Sequence, residues 1–509
     1  MDQTDLTETP SELTSTEKDF IGDVLKLISG SFAVQAISLL LSPVMTRLFS
    51  PENFGVSAVF TSIYSILAVI TCMRYEATIV IAKTKEESAN MLGVCMFFAS
   101  LTTLIFFPTL YVLRYWLADL FKAPELVYLI WLAPLTALTS GTFLAFYNWN
   151  TRNRKYIRLS AASVAQEVVM DSTRLAFGFS GHASGTTLII SNILGSLTSA
   201  LALVVPVLTK EWAFLKDNIT WHAMVEGIKK FNKFPLYTTW TALISIFAQQ
   251  ITTLLLAVFF TNAVTGFYAM GNRIIRLPIT MVANVISQVF FQRAAQAKHE
   301  GNISSLVEST FGRLIVYGLF PMLLLSIAGK DLFILILGEP WAEAGVYSQI
   351  LSIWTFFVFI TTPCIHLANI YEKQEVNLAV NAVLFVTRLG SLVIGGMLND
   401  VRLTLILFSA TGSLVMAWFF FWSIKITGAP ASQIFKKLVL NFLYTLPFLA
   451  VISAAIYIYH ASPLVVTLLS IAVSLVYYAI VFLNDQNLRQ VVFLNFRGYL
   501  RKLTGADKK

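Results

Sequence analysis

Cysteine is nearly absent from this chain: three residues in 509, at 72, 95 and 364, each inside an apolar run. A disulfide framework or a thiolate zinc site is therefore excluded. The five histidines (182, 222, 299, 366 and 460) are too scattered for metal-ligand spacing, so no metal is expected. No Gly-rich phosphate loop of the G-x-x-x-x-G-K type occurs, which excludes ATP as the direct drive and leaves no cofactor to expect. Charge is scarce at 13%, where soluble domains carry about 25%. The first 23 residues carry acids at 2, 5, 8, 12, 17, 19 and 23 against a single Lys18. That sign is wrong for a cleavable signal peptide, and residues 1–24 read as a disordered cytoplasmic tail.

Apolar residues fill the space that charge leaves. They make up 56% of the chain, too many for a soluble protein of this length. Fourteen apolar stretches recur, at 25–47, 54–81, 90–112, 126–148, 159–178, 186–208, 236–260, 265–291, 312–337, 346–370, 377–397, 403–424, 437–458 and 463–483. Each approaches the roughly 20 residues that cross a bilayer as a helix. The expected fold is an all-α polytopic membrane protein with about fourteen transmembrane helices.

The net charge of +8 could suggest nucleic acid, but its distribution argues for topology. With the N-terminus inside, the cytoplasmic segments collect Lys83, Lys85, Arg152, Arg154, Lys155, Lys229, Lys230, Lys233, Arg293, Lys298, Lys425, Lys436 and Lys437, and the tail adds Arg489, Arg497, Arg501 and Lys502. The outer loops hold only Arg47, Arg114, Lys122, Lys330 and Arg402. This asymmetry places both termini in the cytoplasm and gives no reason to expect a nucleic-acid partner.

Outer loops are short, and the longest inner connection, 209–235, divides the chain into segments 25–208 and 236–425. Spans at 437–483 and a basic tail at 484–509 follow. Within the connection Trp221, Met224, Val225, Ile228 and Phe231 alternate at helical spacing with His222, Glu226, Lys229, Lys230 and Lys233. That pattern predicts an amphipathic helix at the inner interface. The chain also echoes itself. Phe49-Ser-Pro-Glu-Asn-Phe-Gly55 joins spans one and two, and Phe260-Thr-Asn-Ala-Val-Thr-Gly266 joins seven and eight. A parallel duplication of six-helix halves would produce the match.

Several spans carry polar stripes. Span eight aligns Arg273, Arg276, Thr280, Asn284, Gln288 and Gln292 on one slowly turning face. An Arg at mid-bilayer costs about 2.5–3.5 kcal/mol, so such residues face a partner or a wet cavity. Two arginines one turn apart repel, which favours a lumen-lining face with Arg273 and Arg276 as anion binders. Span seven repeats the stripe with Ser245, Gln249 and Thr252, span eleven with Asn377, Asn381 and Arg388, and Arg74 lies near the end of span two. Span one presents Ser31, Gln35, Ser38 and Ser42, which suit either a lumen or close helix packing.

Span five differs in sign, with Glu167, Asp171 and Arg174 on one face. Asp171 and Arg174, at i and i+3, can neutralise each other. Glu167 then lacks a cation at helical spacing and is a candidate for ion coupling beside Asp171; the other reading is a purely structural charged cluster. His366 in span ten is a further coupling candidate, or simply a histidine bonded to a neighbouring helix. Prolines at 43, 108, 134, 206, 278, 321, 363 and 447 permit bends within spans.

The segment Arg47-Leu-Phe-Ser-Pro-Glu-Asn-Phe-Gly55, with Met73-Arg-Tyr-Glu-Ala-Thr-Ile-Val-Ile-Ala-Lys83 one span later, resembles the Wzx-type polysaccharide flippases of the multidrug/oligosaccharidyl-lipid/polysaccharide (MOP) exporter superfamily. Asn53 stands where that family often has an acid, and Ala77-Thr78 replaces a small apolar pair. The resemblance implies two MATE-like six-helix lobes forming a V, with two peripheral C-terminal helices, in a bacterial inner membrane. It also implies a substrate: an oligosaccharide repeat unit (O-antigen, capsule or exopolysaccharide) on a polyprenyl pyrophosphate, handed to a polysaccharide polymerase and chain-length proteins. An integral-membrane glycosyltransferase or polymerase would need catalytic residues on substantial outer loops, which this sequence lacks, so an enzyme is not expected. A cation-coupled multidrug exporter of the same superfamily is the nearer alternative, although organic cations favour an acidic lumen.

Overall fold

The computed structural model describes residues 34–484. The acidic N-terminal tail, the start of the first span with Ser31, and the basic tail after Asn484 lie outside the described residues. All regular elements among the described residues are helical. In chain order they are α1 (Val34–Leu48), α2 (Pro51–Thr71), α3 (Lys85–Leu120), α4 (Leu126–Arg152), α5 (Tyr156–Phe179), α6 (Gly185–Asn218), α7 (Trp221–Lys230), α8 (Phe234–Phe259), α9 (Asn262–Glu300), α10 (Ile303–Leu337), α11 (Glu339–Ile370), α12 (Gln374–Met397), α13 (Val401–Thr427), α14 (Ala431–Tyr457) and α15 (Pro463–Asn484).

Each of the fourteen apolar stretches overlaps one of these helices. Twelve are long and apolar enough to cross a membrane. Of the others, α1 is a shorter apolar helix within the described residues, and α5 is 24 residues long but carries Glu167, Asp171 and Arg174. Several helices exceed the bilayer. The 36 residues of α3 extend about 54 Å at 1.5 Å per residue, against a hydrocarbon core of about 30 Å.

Local chemistry sets the ends. Thr84 accepts a hydrogen bond from the Glu87 amide (3.1 Å) and Glu87 accepts one from the Lys83 amide (2.8 Å), a reciprocal capping box that starts α3. Asp400 caps α13 through the Leu403 amide (3.0 Å), and Gly428 at φ +66° ends it. The second span is shorter than its apolar run of 54–81. Left-handed backbone at Met73 (φ +49°) and Arg74 (φ +61°) stops the helix, and a single turn, Thr78–Ile81, follows. The connection at 209–235 is mostly helical, because α6 continues to Asn218 and α7 begins after a Thr220 cap. Pro235 and Pro278 each sit at a π-helical turn, Phe234–Thr238 in α8 and Ile279–Ala283 in α9. Both prolines lack the amide an α-helix needs, and the wider turn absorbs the defect.

The chain divides into two compact units, Met1–Gly266 and Phe267–Lys509. In the first, α2 packs against α4, α6 and α8, while α5 pairs with α6 and α3 with α4. Its larger apolar clusters are built on Tyr75, Met91, Cys95, Trp149 and Leu203 in one, and Val56, Phe60, Phe121, Ile130 and Ile189 in another. Met224 of α7 belongs to the first cluster. The amphipathic helix thus docks its apolar face on α3, and Lys230 on its other side pairs with Glu87.

The second unit is built on α10, which packs against α11, α14 and α15. Further pairings join α11 to α13 and α12 to α13. Phe311, Leu314, Phe359, Cys364 and Phe420 form its main core. A second cluster around Phe320, Leu449, Ile452 and Tyr477 seats α14 and α15 on α10.

The two echoed segments meet within the first unit. A Cβ on Gly55 would lie 1.8 Å from the Asn262 carbonyl oxygen, and one on Gly266 would lie 1.9 Å from that of Pro51. Each glycine of the repeat lets its helix start press directly on the other's backbone. Lys122 closes the same corner, its Nζ donating to the carbonyls of Phe259 (3.3 Å) and Phe260 (3.0 Å) while its own carbonyl accepts from Asn262 Nδ2 (2.8 Å).

Candidate functional site

In the second unit, α9, α11, α12 and α13 bring two arginines to one aromatic floor. Arg276 lies with its guanidinium carbon 5.9 Å from the centre of the Trp354 ring, and Arg388 lies 5.4 Å from that ring and 5.3 Å from Phe408. Trp354 and Phe408 are themselves packed edge to face at 5.1 Å. A cation over such a ring gains about 0.5–1 kcal/mol when exposed and about 2 when desolvated. That offsets only part of the cost of a guanidinium in a membrane. Arg276 Nε donates to Asn272 Oδ1 (3.1 Å), one helical turn back. Among the described residues neither Arg276 nor Arg388 makes an ion pair. The Arg388 Nε and the Trp354 indole N–H are both buried without a hydrogen-bond partner. Gly412 makes room for the indole, since a Cβ there would fall 2.6 Å from it.

The rest of the span-eight stripe is on the surface of this unit. Arg273, Thr280, Asn284, Gln288 and Gln292 are all exposed on α9. Arg273 is engaged in an interaction, so it is not a free cation. On α12, Asn377 Nδ2 reaches the Ile365 carbonyl (3.4 Å) and Asn381 Nδ2 the Asn377 carbonyl (2.8 Å). His366 is stacked on Phe291, rings 4.6 Å apart, which accounts for its half-burial.

The first unit distributes its polar residues differently. Arg74, grouped by sequence with the lumen arginines, turns back to Glu76 at 3.3 Å where α2 ends. Its neighbour Tyr75 stacks on Phe98 (5.6 Å), and Arg152 caps the carbonyls of Ile79 (3.3 Å), Val80 (3.1 Å) and Ala82 (2.5 Å). The Arg-Tyr-Glu motif therefore builds a helix-ending corner. Gln249 is exposed and bonds only within its own helix, to Ser245 (3.2 Å). Its neighbour Gln250 instead accepts from Ser62 Oγ on α2 (3.1 Å). Gln35 is half-buried on α1, and Ser42 bonds back to the Ser38 carbonyl (2.7 Å).

The span-five charges are buried. Arg174 Nη1 meets Asp171 Oδ1 at 3.0 Å, and its Nη2 meets Asn192 Oδ1 of α6 at 2.6 Å. Asn192 Nδ2 in turn reaches Ser57 Oγ (3.2 Å) and Thr61 Oγ1 (3.4 Å) on α2. Glu167, one turn before Asp171, is 8% exposed and is not without a partner. Its spacing-based isolation in the sequence does not persist in three dimensions.

Trp354, Phe408, Gly412, Asn192 and Gln250 were not singled out by sequence. Asn192 was detectable as a polar residue at mid-span. An aromatic in an apolar helix and a glycine beneath it carry no such mark.

These features define a polytopic helical membrane protein with cations held inside its bundle. The family model described as polysaccharide biosynthesis protein matches residues 44–346, and the chain belongs to that family. Among solved structures, the lipid II flippase MurJ in an inward closed conformation aligns at TM-score 0.72 and 13% identity, covering 90% of this chain and 99% of that one. An inward-facing multidrug resistance MATE family transporter of the MOP superfamily aligns at 0.64 and 13%, covering 79% and 96%. A Vibrio cholerae MATE transporter, VcmN, aligns at 0.53 and 18%, covering 82% and 98%. The chain shares the fold of these structures. A search of curated proteins finds no match.

Proposed function

We propose that this protein is a non-enzymatic flippase. It moves a polyprenyl-pyrophosphate-linked oligosaccharide from the cytoplasmic to the outer leaflet of a bacterial inner membrane by alternating access. The observation that carries this reading is the pair Arg276 and Arg388, unneutralised by any carboxylate among the described residues and gathered on Trp354. Guanidinium forks match pyrophosphate oxygens in bidentate geometry. The exposed Asn284, Gln288 and Gln292 offer amides to sugar hydroxyls, which otherwise cost roughly 2–7 kcal/mol each to desolvate. Membership of the polysaccharide biosynthesis family supports the same substrate class. Ion-gradient coupling falls to Glu167, Asp171 or His366.

Deletion of the gene tests it. The expected result is loss of one surface glycan, with its complete repeat unit accumulating on polyprenyl pyrophosphate at the cytoplasmic leaflet. An intact surface glycan with new sensitivity to cationic dyes would assign the chain to drug export instead.

A further inference from the structure

One groove in the second unit lies away from the arginine pair. It is bounded by α10, α14 and α15, has a volume of about 910 Å³, and is lined by Arg313, Tyr317, Lys437, Leu440, Tyr444 and Val481 among others. This volume lies within the range of roughly 300–1,000 Å³ typical of small-ligand sites. The lining comes from the N-terminal halves of α10 and α14 and the last turn of α15, so it lies toward one end of the bundle. The loop charges place that end in the cytoplasm.

The groove is amphipathic along its length. Lys437 lies across Gly312, where a Cβ would be 3.3 Å from its Cδ, and its Nζ pairs with Glu308 at 2.6 Å. That pair is internally neutral. Arg313 is exposed and makes no ion pair among the described residues, so the groove keeps a net positive charge. Below it the wall is aromatic and aliphatic. Tyr477 stacks on Phe320 at 4.1 Å and packs against Tyr444 at 5.7 Å, and the Tyr478 hydroxyl donates to the Tyr317 carbonyl at 3.0 Å. Beside it Leu440, Leu443 and Tyr444 are exposed on α14. A soluble anion would satisfy Arg313 and leave this apolar surface wet. A neutral hydrocarbon would cover the surface and leave the cation unmatched.

We infer that this groove binds an anionic glycerophospholipid of the inner leaflet, its phosphate on Arg313 and an acyl chain along Val316, Leu440 and Val481. Basic pockets between membrane helices on the cytoplasmic side recognise such headgroups. The lipid would also brace α14 and α15 against α10, which they otherwise hold through the Phe320–Tyr477 cluster.

The test uses the purified full-length chain in detergent, titrated with dioleoyl phosphatidylglycerol or dioleoyl phosphatidylcholine. Native mass spectrometry would count the bound lipid, and thermal unfolding would report stabilisation. Phosphatidylglycerol should bind in preference and raise the unfolding midpoint. Arg313→Gln should weaken its binding about fivefold, the equivalent of ~1 kcal/mol for one cation near an anionic lipid surface, and leave phosphatidylcholine unchanged. Val481→Trp, which fills the apolar part without altering charge, should also lose phosphatidylglycerol. It decides the matter if Arg313→Gln fails to insert. Equal binding of the two lipids, or retention of phosphatidylglycerol by these variants, overturns the assignment. So does displacement of phosphatidylglycerol by equimolar polyprenyl pyrophosphate, which would make the groove a substrate-tail site.

Discussion

Arg276 and Arg388, 112 positions apart in sequence, rest on the same indole: their guanidinium carbons lie 5.9 and 5.4 Å from the Trp354 ring centre. Two like charges gathered on one ring, with no carboxylate paired to either among the described residues, make a poor structural device. Cation–π attraction of about 0.5–2 kcal/mol per contact does not match the desolvation and repulsion they incur. A multivalent anion that visits the site would supply the missing stabilisation.

The first prediction follows from that imbalance. Arg276→Ala with Arg388→Ala should abolish surface glycan, while each single change leaves partial function. Arg→Lys should be milder, since it keeps the charge and loses only the fork, and Arg→Glu should be worst. Arg273, exposed on the same helix, should contribute less. Membrane levels measured in parallel separate the readings. A purely structural role would show as lost protein with normal activity per molecule.

Gly412 offers a subtler handle. Gly412→Ala would press a methyl 2.6 Å from the Trp354 indole, forcing the ring and both arginines to shift. Overpacking of this kind costs about 1–3 kcal/mol. The expected outcome is a protein that inserts and transports slowly. Trp354→Phe in the Gly412→Ala background should recover part of the rate, because the smaller ring clears the methyl. Absence of any recovery would mean that Gly412 acts through some other contact.

Much of this was legible in the sequence. Apolar runs gave the positions of the spans, because a bilayer leaves the backbone no alternative to helix. Arg276 and Arg388 were visible because charge inside a span is costly. Trp354 was not, since burial of an aromatic looks the same whether it packs a core or floors a cation site. Arg74 shows the opposite limit: spacing placed it within a span, but a left-handed backbone ended the helix there and paired it with Glu76. Periodicity carries no information about that turn. Glu167 was judged isolated from helical spacing alone, yet in the fold it is not without a partner.

The reciprocal contact of Gly55 and Gly266 makes a symmetric prediction. Either Gly→Ala change sets a methyl less than 2 Å from a backbone carbonyl that no side-chain motion can clear. Each should lower the thermal stability of the purified protein, and the two losses should add only if the contacts are independent. Strong coupling between them is expected, because relieving one contact separates the same pair of helix starts. Additivity in a double-mutant cycle would contradict this.

Topology can be checked without any substrate. Reporter fusions at Ser184 and Ser462 should read outside, and those at Arg154 and Lys230 inside, from the loop charges. A single reversed reading would shift the register of every span after it.

The span-five cluster separates structure from coupling. Asp171, Arg174 and Asn192 form a buried chain tied to Ser57 and Thr61. Arg174→Ala would remove the cation from the Asp171–Arg174 pair, and breaking a buried pair from one side costs about 3–5 kcal/mol. Protein levels should fall sharply. Asp171→Asn with Arg174→Gln removes both charges and should restore much of the loss. Glu167 lies one turn away and is also buried, so its role is read from transport. Glu167→Gln keeps the shape and a hydrogen-bonding end while fixing the neutral form. If Glu167 carries the coupling proton, the variant should insert at normal levels and lose its response to an imposed pH gradient. Unchanged gradient dependence in flipping assays with reconstituted vesicles would pass the role to His366, and lost insertion would place Glu167 in the structural cluster with Asp171.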